Sequence, residues 1–286
     1  AQVEAVHLSH GRLERFRHIH HTTVGSIRGI TGAPTRLACP SVATILALVS
    51  SLAWGSADFI GGQFSKRYPA FFVVFVAQAF GLVLMLIVAT LTGAWSTPTD
   101  YLPWAVLASV SGFIGLGLFY VAMATGAVGV VSPITALGGL GPIVLGLATG
   151  DQPTATQYVG LLVALVGVVL ASGPELSGDT GAKPVLLAIA ATVLFGICLV
   201  AIAMGSRTSA VMTMTGMRAS TVTILGLVGL AALLQGKRTR IRSGRHLGLL
   251  GAIGVLDVCA NLFYGLATTT GVLSLVSVLG SLYPVV

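Results

Sequence analysis

The sequence predicts an all-α integral membrane protein: a ten-helix bundle made of two inverted five-helix repeats. Three observations predict it. Hydrophobic residues make up 55% of the chain and charged residues only 8%. Soluble domains carry about 25% charged residues, so this chain has too few charges to cover a water-facing surface. The apolar residues also form continuous runs of about 20, enough for a helix to cross ~30 Å of hydrocarbon. A membrane barrel would instead show alternating strands of about 10 residues. Finally, the stretch from Leu118 to Val144 returns as Leu262 to Val286. Both copies open on Leu-Phe-Tyr, pass a small-residue joint and close on an apolar helix with a late proline, Pro142 or Pro284. Repetition at long period dictates architecture.

Residues 1–40 differ in composition from the rest of the chain. They hold His7, His10, His18, His20 and His21 with five arginines, opposed only by Glu4 and Glu14. This reads as a basic disordered leader or a non-native upstream segment; a metal-binding tract at His18, His20 and His21 is the sharper alternative. No secretory core precedes residue 42. Nine apolar segments occupy 42–62, 70–92, 103–124, 127–149, 155–172, 184–204, 209–235, 246–267 and 271–286. Tight joints at 124–127 and 268–271 make helical hairpins. Polar loops at 93–102 and 173–183 are longer, and the second separates the halves. The 37 glycines suit this class, because small residues let helix backbones approach in lipid.

Superimposing the halves pairs Trp54-Gly55 with Phe195-Gly196, Gln78 with Arg218, and Leu118-Phe119-Tyr120 with Leu262-Phe263-Tyr264. From tyrosine to late proline the copies differ by two residues, a difference expected in the joint. Five spans is an odd number, so the second copy must enter the membrane inverted. That is the signature of secondary transporters with a midplane site between repeats. The expected units are 41–172 and 184–286. About 30 residues follow Pro142 in the first and two follow Pro284 in the second, so the tenth helix and part of the ninth are expected to be missing.

Four stretches carry a resemblance: LAWGSADFIGG (52–62), FYVAMATGAVGVVSPITALGGLGPIV (119–144), QYVGLLVALVGVVLAS (157–172) and LFYGLATTTGVLSLVSVLGSLYPVV (262–286). Residues 42–286 resemble the EamA-like branch of the drug/metabolite transporter superfamily. The resemblance implies ten helices around a central cavity and a carrier for small metabolites or drugs, often an exporter. It also implies a plasma-membrane location, here expected in a prokaryote. Two departures stand out. Gly150-Asp151 replaces the usual Gly-Glu, and Gln78 stands where an arginine is frequent, a position whose repeat equivalent, Arg218, keeps it.

Ionisable residues within spans are costly, about 2.5–3.5 kcal/mol each at a helix centre on insertion scales, and mark function or pairing. Asp257, Asn261 and Tyr264 follow i, i+4, i+7 spacing and share one helix face. This stripe either looks into a substrate cavity or pins helix packing. Arg218, ~6 Å from the middle of its segment, lies too deep to reach the headgroups. Asp257 is its natural partner, as a substrate or proton switch or as an inert pair. Asp58 and Trp54 share a face late in the first segment, either as cavity residues or as an interfacial cap and aromatic anchor. Gln78 suits substrate contact or interhelical packing, and Tyr120 is expected to line the cavity with Tyr264. Pro133 and Pro142, with Gly138 and Gly139 between them, predict a hinge or a close-packed bend in the fourth segment.

No P-loop, HExxH, GxSxG or metal-ligand spacing occurs, so the expectation is no enzyme, no cofactor, no metal, and transport without ATP. Expected partners are membrane lipid and a small-molecule substrate, with protons as a candidate coupling ion, a homodimer as a candidate assembly, and no nucleic acid. Positive charge marks cytoplasmic loops: Lys66-Arg67 and 236–246 place one side inside, while the basic tail and the family pattern place the other. A scaffold or sensor built on the same bundle is the alternative to a carrier.

Overall fold

The computed structural model describes residues 40–152, 154–171, 181–236 and 243–283. The expectations for the leader, most of the 173–183 loop, the basic run at 237–242 and Pro284 lie outside the described residues. Those described are helical with no strand, and belong to one unit, Ala38–Val286. Helices α1 (Pro40–Ser65), α2 (Ala70–Leu91) and α3 (Leu102–Thr125) follow in order. Next come α4 (Val128–Ala136), α5 (Leu140–Ala148), α6 (Ala155–Ala171), α7 (Ala182–Leu234), α8 (Gly244–Thr270) and α9 (Leu273–Gly280). Among the described residues, six helical stretches are long and apolar enough to cross a membrane. Their outer faces expose large apolar side chains, Phe59 at 63% and Leu227 at 64% among them. Apolar exposure on this scale suits lipid and would drive aggregation in water.

The sixth and seventh predicted segments form the single run α7, which departs from helical geometry only at Ser209 (φ −164°, ψ 115°). Uninterrupted, its 53 residues would reach about 80 Å at 1.5 Å per residue, far beyond the hydrocarbon. The chain reverses instead. A Cβ on Gly205 would lie 2.7 Å from the Thr213 side chain, eight residues on, a contact that a straight helix forbids. The Ser209 hydroxyl accepts from the Met212 backbone N–H at 3.2 Å and so caps the second limb.

The fourth predicted segment is not one continuous helix. α4 and α5 are separated by a 3-10 turn at Leu137–Gly139. Pro142 explains the interruption: it has no N–H to give the Gly138 carbonyl four residues earlier, and its ring crowds that oxygen. The joints also depart from expectation. Each is two residues long, Gly126-Ala127 and Gly271-Val272, and extended at the glycine. The two-residue difference between copies therefore lies within the helices.

Helix α3 packs on α7, α1 on α8, and α2 on both α7 and α8. Two close crossings are made by glycine. A Cβ on Gly141 would sit 2.9 Å from the Gly196 Cα. One on Gly254 would overlap the Ala77 carbonyl oxygen and come within 2.7 Å of its carbon. Hydroxyls tie the helices further: Ser50 donates to the Ala260 carbonyl at 2.8 Å, and Ser109 and Thr221 share a hydrogen bond of 2.8 Å.

Asp151, the departure from Gly-Glu, has a specific task. Its Oδ2 accepts from the backbone N–H and the hydroxyl of Ser274, both at 3.0 Å. A carboxylate there satisfies an orphan N–H in the first turn of α9 and complements the helix dipole. Asp151→Ala is expected to lower stability by about 1 kcal/mol, read as a fall in the unfolding midpoint in detergent. An unchanged midpoint would show that α9 needs no cap.

Candidate functional site

Three helices bring the deep polar residues together. Asp257 on α8 forms an ion pair with Arg218 on the second limb of α7, Oδ2 to Nη1 at 3.0 Å. Gln78 on α2 bridges them: its amide nitrogen donates to Asp257 Oδ2 at 3.1 Å, and its oxygen accepts from Arg218 Nη1. Asn261, one turn beyond Asp257, donates to Asp257 Oδ1 at 3.0 Å and to its backbone carbonyl at 2.7 Å. Both carboxylate oxygens are thereby engaged. The guanidinium is 1% exposed and Asp257 14%, so the anion is the more open partner of the pair. Arg218 Nε and Nη2 are buried and unpartnered among the described residues.

Asp257, Asn261 and Tyr264 do share one face, and it lines a cavity with an empty volume of about 680 Å³, including the part continuous with the exterior. Arg218, Trp54 and Asp58 also line it, as do Gly138 and Gly139 of the 3-10 turn. Trp54 packs against Tyr264 with ring centroids 5.6 Å apart, and the Tyr264 hydroxyl shares a 3.0 Å hydrogen bond with Ser277 on α9.

The remaining expected residues fall outside the lining. Gln78 sits behind the ion pair. Tyr120, 1% exposed, is wedged against Gly61 of α1 and touches Phe119, so it belongs to the core and not the cavity wall. Pro133 and Pro142 lie within α4 and α5 and shape the turn without facing the cavity. Sequence reasoning passed over Phe195, Cys198, Ser281 and Tyr283, which line it. Two of them carried a signal. Phe195 is the repeat equivalent of Trp54, and counting back from the late prolines makes Ser281 the equivalent of Gly139. Cys198, in an apolar run, carried none.

Spanning helices that enclose a cavity with a buried ion pair at its wall define a multi-pass membrane protein of the transporter type. Residues 41–173 match the model of the EamA-like transporter family, a family of the drug/metabolite transporter superfamily. The family is one of carriers and is generally non-enzymatic. A solved crystal structure of a protein shares the fold, with a TM-score of 0.66 and 17% identity over 85% of each chain. No curated protein matches the chain.

Proposed function

We propose that the protein is a secondary transporter of small metabolites or drugs, moving them outward across a prokaryotic plasma membrane by alternating access without ATP. In this reading 41–172 and 184–286 are inverted repeats of a ten-helix design, and the cavity between them is the substrate site. The carrying observation is that residues paired by the repeat meet each other. Gln78 accepts a hydrogen bond from its equivalent Arg218, and a Cβ on Gly139 would lie 2.9 Å from that of its equivalent Ser281. The crossed pairs agree: Gly138 abuts Phe195, and Gly280 abuts Trp54. A twofold axis between the units brings equivalent positions together in this way, and midplane sites of inverted-repeat carriers lie on such axes.

The 3-10 turn at Leu137–Gly139 supplies the hinge in this scheme, with Pro133 and Pro142 removing backbone bonds on either side. Asp58 and Asp257 are the cavity carboxylates available for proton coupling. A homodimer is compatible with the scheme and not required by it. Flux into liposomes carrying the purified protein, across a metabolite panel, tests the proposal. Asp257→Asn is expected to abolish flux while leaving expression unchanged. Normal flux through that variant removes Asp257 from the site, and absence of flux for every solute favours a non-transporting scaffold.

A further inference from the structure

One face of the bundle gathers positive charge far from the cavity. Tyr68, in the turn between α1 and α2, shares a 2.8 Å hydrogen bond between its hydroxyl and Nδ1 of His246, in the first turn of α8. The Phe64 and Tyr68 rings meet the imidazole edge to face, with centroids 5.4 and 5.9 Å away. Both rings are buried, so this junction is anchored in the core. Lys66 and Arg67 directly precede Tyr68, Arg245 directly precedes His246, and all three are exposed. Consecutive Cα atoms are about 3.8 Å apart, so the junction holds three cations around one point.

No carboxylate neutralises them. Among the described residues, no ion pair reaches Lys66, Arg67 or Arg245. Of the described acidic residues, Asp58 and Asp257 line the cavity. Asp100 and Asp151 lie beyond the far ends of α2 and of the span Gly129–Ala148, on the other side of the membrane.

Two helix starts add to the excess. α2 begins at Ala70 and α8 at Gly244, and the N-terminus of a helix is the positive end of its dipole. Pro69 gives α2 no side-chain cap, so its first N–H groups stay open to an acceptor. His246 contributes a directed donor. With Tyr68 donating to Nδ1, the neutral imidazole carries its proton on Nε2. No hydrogen bond among the described residues reaches that nitrogen.

The position of these groups selects the anion. They stand where spanning helices end, at headgroup depth. Phe59 on α1, Phe71 on α2 and Leu247 on α8 are exposed within about two turns of them, where acyl chains run. A soluble phosphate would meet the charges alone, whereas an acidic phospholipid meets the charges and the apolar faces together.

We infer that the junction of the α1–α2 turn with the start of α8 binds the phosphate headgroup of an acidic phospholipid, with Lys66, Arg67 and Arg245 as counter-charges and His246 as hydrogen-bond donor. The site is separate from the cavity and does not depend on the carrier reading.

Native mass spectrometry of the purified full chain in neutral detergent tests it, with phosphatidylglycerol titrated against phosphatidylcholine of the same acyl chains. Phosphatidylglycerol is expected to bind at least about tenfold more tightly. The triple variant Lys66→Gln/Arg67→Gln/Arg245→Gln is expected to lose that preference. His246→Phe keeps a ring against Phe64 and removes the donor, and is expected to weaken phosphatidylglycerol binding severalfold. Arg207→Gln removes an exposed cation near the α7 reversal, on the other side, and is expected to change nothing. Each variant's unfolding midpoint is measured alongside. If the triple variant does not fold, Arg67→Gln and Arg245→Gln decide singly, each expected to weaken phosphatidylglycerol binding severalfold. Equal affinity for the two lipids overturns the inference. So does a preference that survives loss of the three cations, or one that falls as far in Arg207→Gln. Displacement of phosphatidylglycerol by water-soluble glycerol phosphate assigns the site to a soluble anion and overturns the lipid.

Discussion

Asp257→Leu alone is expected to destabilise the protein by about 3–5 kcal/mol, Arg218→Met alone by less, and the double variant to return to wild-type stability or exceed it. Burial is the cause. Arg218 is 1% exposed and its nearest neutral support is Gln78. Removing Asp257 strands a guanidinium that can neither reach water nor lose its proton, since arginine stays charged in proteins. Removing Arg218 is milder, because Asp257 is 14% exposed toward the cavity and keeps its bonds from Gln78 and Asn261. Replacing both partners deletes the desolvation cost along with the attraction, which is why buried pairs often exchange for apolar residues without loss. Unfolding of the four proteins in one detergent closes a double-mutant cycle. Additive losses in the double variant would falsify the pairing. The rescued double variant should still fail in flux, because it removes the polar wall that stability does not need.

Gly254→Ala is the second large effect. The added Cβ would overlap the Ala77 carbonyl oxygen and approach its carbon to 2.7 Å. The obstacle is backbone, so no side chain can swing aside, and α2 and α8 must separate. Overpacking usually costs about 1–3 kcal/mol, and a backbone obstacle belongs at the upper end. The shift also spreads. Ala77 precedes Gln78, and Gly254 lies three residues before Asp257, so separation stretches the 3.1 Å bond between Gln78 and Asp257. Loss of both stability and flux is expected. The control is Gly248→Ala on the same helix, where an added Cβ meets nothing within 4 Å. That change should be neutral or stabilising by up to about 1 kcal/mol, since alanine is the better helix former. Equal behaviour of the two variants would show that the crossing is loose.

The departure at Gln78 gains a physical reason from the same geometry. Gln78 and Arg218 are repeat equivalents and touch. Arginine at both positions would set two guanidiniums against each other beside a single carboxylate. Glutamine avoids that repulsion and offers an acceptor to the arginine and a donor to Asp257. The chemical difference between positions 78 and 218 therefore follows from their contact.

Much of the fold and the site was legible in the residues. Continuous apolar runs identify membrane helices because hydrocarbon admits no unpaired backbone, and i, i+4, i+7 spacing places Asp257, Asn261 and Tyr264 on one face whatever surrounds them. The depth of Arg218 required a partner, and Asp257 was the nearest carboxylate in the next segment. Other outcomes depended on neighbours that periodicity cannot name. Tyr120 and Tyr264 occupy equivalent places in the repeat, yet one is wedged against Gly61 and the other faces the cavity. Asp58 could have been an interfacial cap, and the packing of α1 on α8 turned it to the cavity wall instead.

The sequence by itself thus determined the class, most of the helical segments and the ion pair, because each follows from local spacing and the cost of burying charge. Tertiary structure alone decided the reversal at Ser209, the break at Leu137–Gly139, and which polar groups line the cavity. Whether a side chain meets lipid, protein or open space depends on what covers its helix face, and that cover comes from residues far away in the chain.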